Sequence, residues 1–250
     1  MADKAYGRFF NWEGCIVMKP YINNYSDIME LLDEQVATVP WDEFYRERKK
    51  QAPFIVQNTM PDENLVELLK KHDIKLAIEF GCGEGRNAIY MANCGIDVTA
   101  YDISDVAIEN AAKIANKSDA KVSFICENVL NTDISTQFDL VYDSGMFHHL
   151  SPHRRITYIE LLQKILKPNG LFALTCFASG ENAGDEMNDW DYYKQKFNAG
   201  LAFTEERLRE LFSPYFNVIE IRKYRNGVPN TIQGLHFMWV CTFQKDRPGS

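Results

Sequence analysis

Glu79-Phe80-Gly81-Cys82-Gly83-Glu84-Gly85 decides how this chain is read. It follows the apolar run Leu76-Ala77-Ile78 and precedes a stretch with helical patterning from about residue 87. A buried strand, a glycine loop and a helix in that order make a ligand-binding turn. Glycines let the backbone turn tightly and let a ligand approach the main chain. The following helix N-terminus offers free N–H groups and positive potential. The spacing is G-x-G-x-G, not the G-x-G-x-x-G of pyrophosphate sites. Asp102 lies 21 residues after Gly81, at the end of the next expected strand. An acid there can accept hydrogen bonds from both hydroxyls of a ribose.

The pattern continues on both sides of the loop. Strands are expected at 76–80, 97–101, 121–126, 138–142 and 171–176, and helices at 87–93, 104–116 and 152–166. Lys167-Pro168-Asn169-Gly170 reads as the stop and turn after the last of these. A short helix at 205–212 precedes two strands, 218–224 and 235–243, without a helix between them. Alternation of strand and helix implies βαβ units. The expected fold is therefore α/β, a doubly wound, mostly parallel seven-stranded sheet with a C-terminal antiparallel hairpin. Ligands of such sheets bind beyond the carboxyl ends of the strands, here after Phe80, Tyr101, Cys126 and Tyr142. Upstream, helices are expected at 27–36 with Ser26 as cap, at 41–50, and from Pro61-Asp62-Glu63 to His72. The division is a cap or lid segment at 1–60 and a ligand-binding domain at 61–247.

Composition narrows the function. The 250 residues suffice for a buried core without disulfides. Asp and Glu number 35 against 27 Lys and Arg, a net charge of −8. Nucleic-acid binders usually carry a basic surplus, so none is expected as partner. The six cysteines contain no C-x-x-C pair. No zinc site or other metal is expected, and the thiols read as reduced, in a cytoplasmic protein. No apolar run approaches the ~20 residues that span a bilayer, so no membrane partner is expected.

From Leu76 to Phe177 the chain resembles the class I S-adenosylmethionine-dependent methyltransferases. The residues that carry this are Glu79 to Gly85, Asp102, Asn128, Asp143-Ser144-Gly145 and Leu166-Lys167-Pro168-Asn169-Gly170. Asn128 stands where the family often has Asp; an amide oxygen can still accept from an adenine amino group. Upstream, Trp41-Asp42-Glu43-Phe44-Tyr45 and Pro53-Phe54 resemble the aromatic segment of thiopurine, thiol and tellurite-resistance methyltransferases, which folds over the cofactor. Gly200-Leu201-Ala202-Phe203-Thr204 is similar to a bacterial subgroup near them. The resemblance implies S-adenosyl-L-methionine as cofactor. It implies Trp41, Tyr45, Phe54, Glu79, Gly81, Cys82, Gly83, Arg86, Asp102, Ile103, Asn128, Val129, Asp143 and Ser144 as cofactor-binding residues. Trp41, Tyr45 and Phe54 read equally as an amphipathic helix packed on the sheet.

Methyl transfer needs an aligned nucleophile and little else; alignment alone supplies ~7–11 kcal/mol. A thiol arrives partly ionised near neutral pH, whereas hydroxyls and amines more often need a base. The expected activity is methylation of a small molecule at a thiol or other soft atom, with O- or N-methylation as the alternative. His148 and His149 are the candidates for proton transfer, or ordinary core histidines. His153-Arg154-Arg155 opens a helix and reads as a solvated end or as a site for an anionic acceptor. Residues 178–203 mix acids with aromatics and read as a pocket cover or a surface insertion. The motifs of amino-group methylases, Asn/Asp-Pro-Pro-Tyr, are missing after the fourth strand, and no Pro-Cys pair serves cytosine chemistry. A macromolecular substrate and a non-catalytic cofactor-binding module remain weaker alternatives. The partner is a small-molecule acceptor, the state a monomer or homodimer.

Overall fold

The computed structural model describes residues 9–10, 16–17, 22–36, 38–51, 60–180, 184–195, 197, 199–225 and 235–247. Two short strands, β1 (Phe9–Phe10) and β2 (Ile16–Val17), pair antiparallel outside the main sheet. The main sheet holds β3 (Leu76–Phe80), β4 (Asp97–Asp102), β5 (Val122–Cys126), β6 (Phe138–Ser144), β7 (Leu166–Phe177), β8 (Asn217–Lys223) and β9 (Met238–Gln244). Their order is β5-β4-β3-β6-β7-β9-β8. β5 through β7 run parallel in that order, and β9 pairs antiparallel with both β7 and β8. The chain winds outward from β3 to β5 on one side and restarts at β6 on the other. The reversal between β3 and β6 opens a crevice at their carboxyl ends.

The sheet is covered on both faces, which is why β3 is apolar but for Glu79. Alternate residues of β3 feed opposite cores. Ala77 joins Leu65 and Leu68 of α3 (Glu63–Lys71) and Met91 of α4 (Arg86–Asn93). Ile78 and Phe80 join Tyr158 of α6 (Arg154–Ile165) and Phe212 of α8 (Glu205–Phe212). α5 (Asp105–Lys117) turns Ala107, Ala111 and Ala115 inward. Before the sheet stand α1 (Tyr25–Glu34) and α2 (Trp41–Gln51).

Three details depart from the sequence reading. The cap of α1 is Asn24, not Ser26. Its side chain accepts from the Asp27 N–H while the Asp27 carboxylate accepts back from the Asn24 N–H, a reciprocal pair across three residues that Ser26, next to Asp27, cannot make. The stretch 167–170 is not a turn before the strand but an irregularity inside β7. Asn169 takes the left-handed conformation there, φ +62°, which Asn tolerates better than most residues. Residues 189–195, inside the stretch 178–203 for which no helix was expected, form α7 (Asp189–Gln195). Asn188 caps it by accepting from the Asp191 N–H at 2.9 Å. No helix among the described residues is long and apolar enough to cross a membrane.

Candidate active site

The loop after β3 is held in place before any ligand arrives. The Cys82 N–H donates to the Tyr101 carbonyl at 2.9 Å, tying the loop to β4. The Gly83 N–H donates to Asp102 Oδ2 at 2.8 Å, and the Ser104 N–H to Asp102 Oδ1 at 2.9 Å. One carboxylate thus braces the glycine loop and the start of α5. Gly81 and Gly83 have φ of +62° and +54°. A Cβ on Gly81 would stand 2.6 Å from Met146 Cβ, and one on Gly83 2.7 Å from the Tyr45 hydroxyl. Only glycine fits at either position.

A cavity of about 750 Å³ lies over this loop. Gly81, Asp102, Ile103, Asn128, Val129 and Ser144 line it from the strand ends; Asp33 of α1, Val36 just beyond it, and Trp41, Phe44 and Tyr45 of α2 line it from the other side. Those helices are clamped on by acids. Asp42 of α2 accepts from Ser104 Oγ at 2.7 Å. Asp33 of α1 accepts from His153 Nε2 at 2.8 Å and from the Arg154 guanidinium. Burial opposes its charge, but the His153 and Arg154 hydrogen bonds outweigh that and hold the carboxyl at about 2. The His153-Arg154-Arg155 cluster is therefore internally paired: Arg155 bonds Asp189 at 2.8 Å and lies over the Phe203 ring.

Beneath the cavity lies a charged group the sequence reading missed. Asp62, read only as a helix start, is buried. It pairs with Arg86 at 2.5 Å and accepts from Ser144 Oγ at 2.6 Å and the Tyr142 hydroxyl at 2.9 Å. Burial would raise its carboxyl, but the Arg86 charge and these bonds hold it below the usual range. Arg86 also donates to Ser144 Oγ at 3.1 Å and lines the cavity. Glu79 has no such cation. Burial pushes its carboxyl up to about 8, against the partial pull of Arg86, and its Oε2 is buried without a hydrogen-bond partner.

His148 and His149 sit on the 3-10 turn after β6 and line the cavity. His148 stacks on Phe177, centroids 3.9 Å apart, and His149 meets Trp41 edge-on at 4.7 Å. Burial lowers both: His148 well below its ordinary value, with the His149 charge adding to it, and His149 to about 4. Both imidazoles are neutral at pH 7.

The structure brings Trp41, Tyr45, Gly81, Arg86, Asp102, Ile103, Asn128, Val129, Ser144, His148 and His149 to one cavity. Glu79, Cys82, Gly83 and Asp143 stand behind its lining. The Asp143 side chain was expected beside the ligand. Instead it is wholly buried, accepting from the Met146 N–H at 2.8 Å and the Tyr158 hydroxyl at 2.7 Å. Burial raises it to about 6 against those bonds. It shapes the turn that packs Met146 onto Gly81. Phe54 lies outside the described residues. None of the described residues 178–203 lines the cavity; Tyr192, Leu201 and Phe203 join the core instead. Among the described residues no cluster of three or more His, Cys, Asp or Glu has the arrangement of a metal site.

These groups fit S-adenosylmethionine. The backbone approach at Gly81 and Gly83, which a Cβ would fill, suits a ligand lying on the main chain. The partnerless Glu79 oxygen suits a cation, and Asp102 suits hydroxyls.

A family model described as a methyltransferase domain matches residues 77–170. A probable thiol methyltransferase 2 of Arabidopsis thaliana is 31% identical over 106 residues, 42% of this chain and 47% of that protein. The chain thus spans about half or less of the length of the first curated relatives it matches. Among solved structures, TehB from Haemophilus influenzae aligns with TM-score 0.59 at 17% identity, over 82% of this chain and 67% of that one. The 1,6-didemethyltoxoflavin-N1-methyltransferase of Burkholderia thailandensis, solved with S-adenosylhomocysteine, aligns with TM-score 0.63 at 20% identity, over 92% and 93%. At these identities the structural likeness speaks for the fold.

Proposed function

We propose that this chain, whose residues 77–170 are a class I S-adenosylmethionine-dependent methyltransferase domain, methylates a small molecule at a thiol or another soft atom. The observation that carries the reading is Asp102. Its carboxylate locks Gly83 and Ser104 in place and still faces the cavity. Bound S-adenosylmethionine supplies an electrophilic methyl group on a sulfonium. The chain's own residues orient it and keep water out. Asp102 would accept from the ribose hydroxyls, and Ile103 and Val129 would flank the adenine, with Asn128 at its edge. Glu79 would meet the ammonium and Arg86 the carboxylate of the methionine part. Trp41 and Tyr45 would cover the site.

The acceptor follows from what the site lacks. A histidine with a pKa of about 4 is a feeble base toward a phenol or an alcohol. A thiol needs no such base. The thiol methyltransferase relative supports the same acceptor class. Calorimetry with S-adenosylhomocysteine tests the cofactor, and labelled methyl transfer to thiols, phenols and amines tests the acceptor. Absence of binding refutes the methyltransferase reading. Preference for phenols or amines replaces the thiol by the O- or N-methyl alternative.

A further inference from the structure

Beside Trp41, the cavity is lined by four rings that the cofactor roles leave unused. Trp41, His149, His148, Phe177 and Phe237 form one continuous chain of rings. The centroid separations along it are 4.7, 4.3, 3.9 and 6.1 Å. All five line the cavity. Nδ1 of each histidine is buried without a hydrogen-bond partner. Leaving a buried polar atom unpaired is costly, and a ligand that supplies the partner removes that cost.

The cluster carries no charge of its own, both imidazoles being neutral. The charged residues elsewhere on the lining are engaged or exposed. Asp33 and Arg154 hold each other, Arg86 holds Asp62, Asp102 holds two backbone N–H groups, and Glu34 and Glu127 are exposed. A charged substituent entering among the rings would shed its water and gain no counter-charge. A flat ring would stack on the faces already arranged there.

The two histidines differ in freedom. His148 is 3% exposed and wedged: a Cβ on Gly200 would come within 2.7 Å of its Cδ2. His149 is half-buried, tilted against His148 at 4.3 Å and edge-on to Trp41 at 4.7 Å. It is the one placed to offer a hydrogen bond.

We propose that this ring cluster is the acceptor subsite, that it takes a flat acceptor whose ring system carries no charged substituent besides the reacting atom, and that His149 holds the acceptor's polar edge. The proposal rests on the methyltransferase reading above and names its acceptor class.

Calorimetry of the full chain tests it, using four probes with and without saturating S-adenosylhomocysteine. They are naphthalen-2-ol, its saturated counterpart decahydronaphthalen-2-ol, 6-hydroxy-2-naphthoate and 6-(aminomethyl)naphthalen-2-ol. Naphthalen-2-ol is expected to bind at least tenfold tighter than each of the others. His149→Phe keeps a ring in the wall and removes the nitrogens. It is expected to weaken naphthalen-2-ol about tenfold, one hydrogen bond's worth, and to leave 2-methylnaphthalene unchanged. Equal or tighter binding of the saturated or either charged probe overturns the ring subsite. Equal weakening of both naphthalenes by His149→Phe overturns the role of His149. Failure of S-adenosylhomocysteine to bind counts against the methyltransferase reading alone, because the probe preference is still measured without it.

Discussion

Asp102→Asn separates a brace from a ligand-holding acid. In the structure each Asp102 oxygen accepts one backbone N–H, Oδ2 from Gly83 at 2.8 Å and Oδ1 from Ser104 at 2.9 Å. An amide has one oxygen and one NH2, so one of these donors must face another donor. A buried donor left unpaired costs ~1–3 kcal/mol, a loss of a few degrees in Tm for a chain of this size. The second effect falls on the ligand. A hydrogen bond to a charged acceptor is worth about 1–1.5 kcal/mol more than one to a neutral acceptor. For two ribose hydroxyls that sums to about 2–3 kcal/mol, a 30- to 150-fold rise in Kd. Thermal unfolding reads the first effect and calorimetric titration with S-adenosylhomocysteine the second. A lowered Tm with an unchanged Kd would refute the reasoning, leaving Asp102 as a loop brace only.

Three further outcomes are expected. Glu79 titrates at about 8 in the folded chain against 4.5 unfolded; a raised acid gives stability that is full below 4.5 and lost as pH rises through 8. Glu79→Gln, which copies the neutral form, should match the native protein's melting temperature at pH 4 and exceed it at pH 9, and a difference between the two proteins that is the same at both pH values would contradict this. His149, at about 4, should leave no inflection of histidine type between pH 5 and 8 in kcat/KM. The profile should rise with the pKa of the acceptor thiol and shift when that thiol is exchanged for a more acidic one. Gly81→Ala meets Met146 and a left-handed backbone at once, together ~2–5 kcal/mol of destabilisation. Met146→Ala should recover part of that in a double-mutant cycle on thermal stability, whereas strict additivity would place the strain elsewhere.

The parts legible in the sequence were those governed by local pattern. The glycine loop, the strand before it and the spaced Asp102 announce themselves because turn chemistry and strand burial act over a few residues. The 205–212 helix was legible for the same reason: Thr204 caps it by accepting from the Arg207 N–H. Long-range pairings were not legible. Asp62 looks like a helix-starting acid, and nothing local reveals that Arg86, 24 residues on, would claim it. Asp33 likewise reads as a polar helix residue until the fold brings Arg154 to it across 121 positions. Asp143 was assigned to the ligand because of its place after a strand, yet the Tyr158 hydroxyl, one helix later, turns it inward. In each case the carboxylate was visible and its partner was not.

The buried charges give the site its direction. Beneath the cavity stand two carboxylates, Asp62 and Glu79, and one guanidinium, Arg86. Arg86 can neutralise only one of them, and its hydrogen bonds to Asp62 decide which. Glu79 is left to burial, which a lone carboxylate meets by keeping its proton. A ligand cation beside Glu79 reverses that balance, because it supplies the counter-charge the protein withholds. The proton then leaves and the carboxylate gains the partner that its Oε2 lacks. On the proposed reading, binding at neutral pH would then be coupled to proton release, and a ligand without that cation would find a neutral acid and gain nothing from it. In the proposed roles Asp102 would select for hydroxyls and the glycine loop for close approach. Glu79 would add a demand for positive charge, which the methionine ammonium of S-adenosylmethionine meets and a plain nucleoside does not.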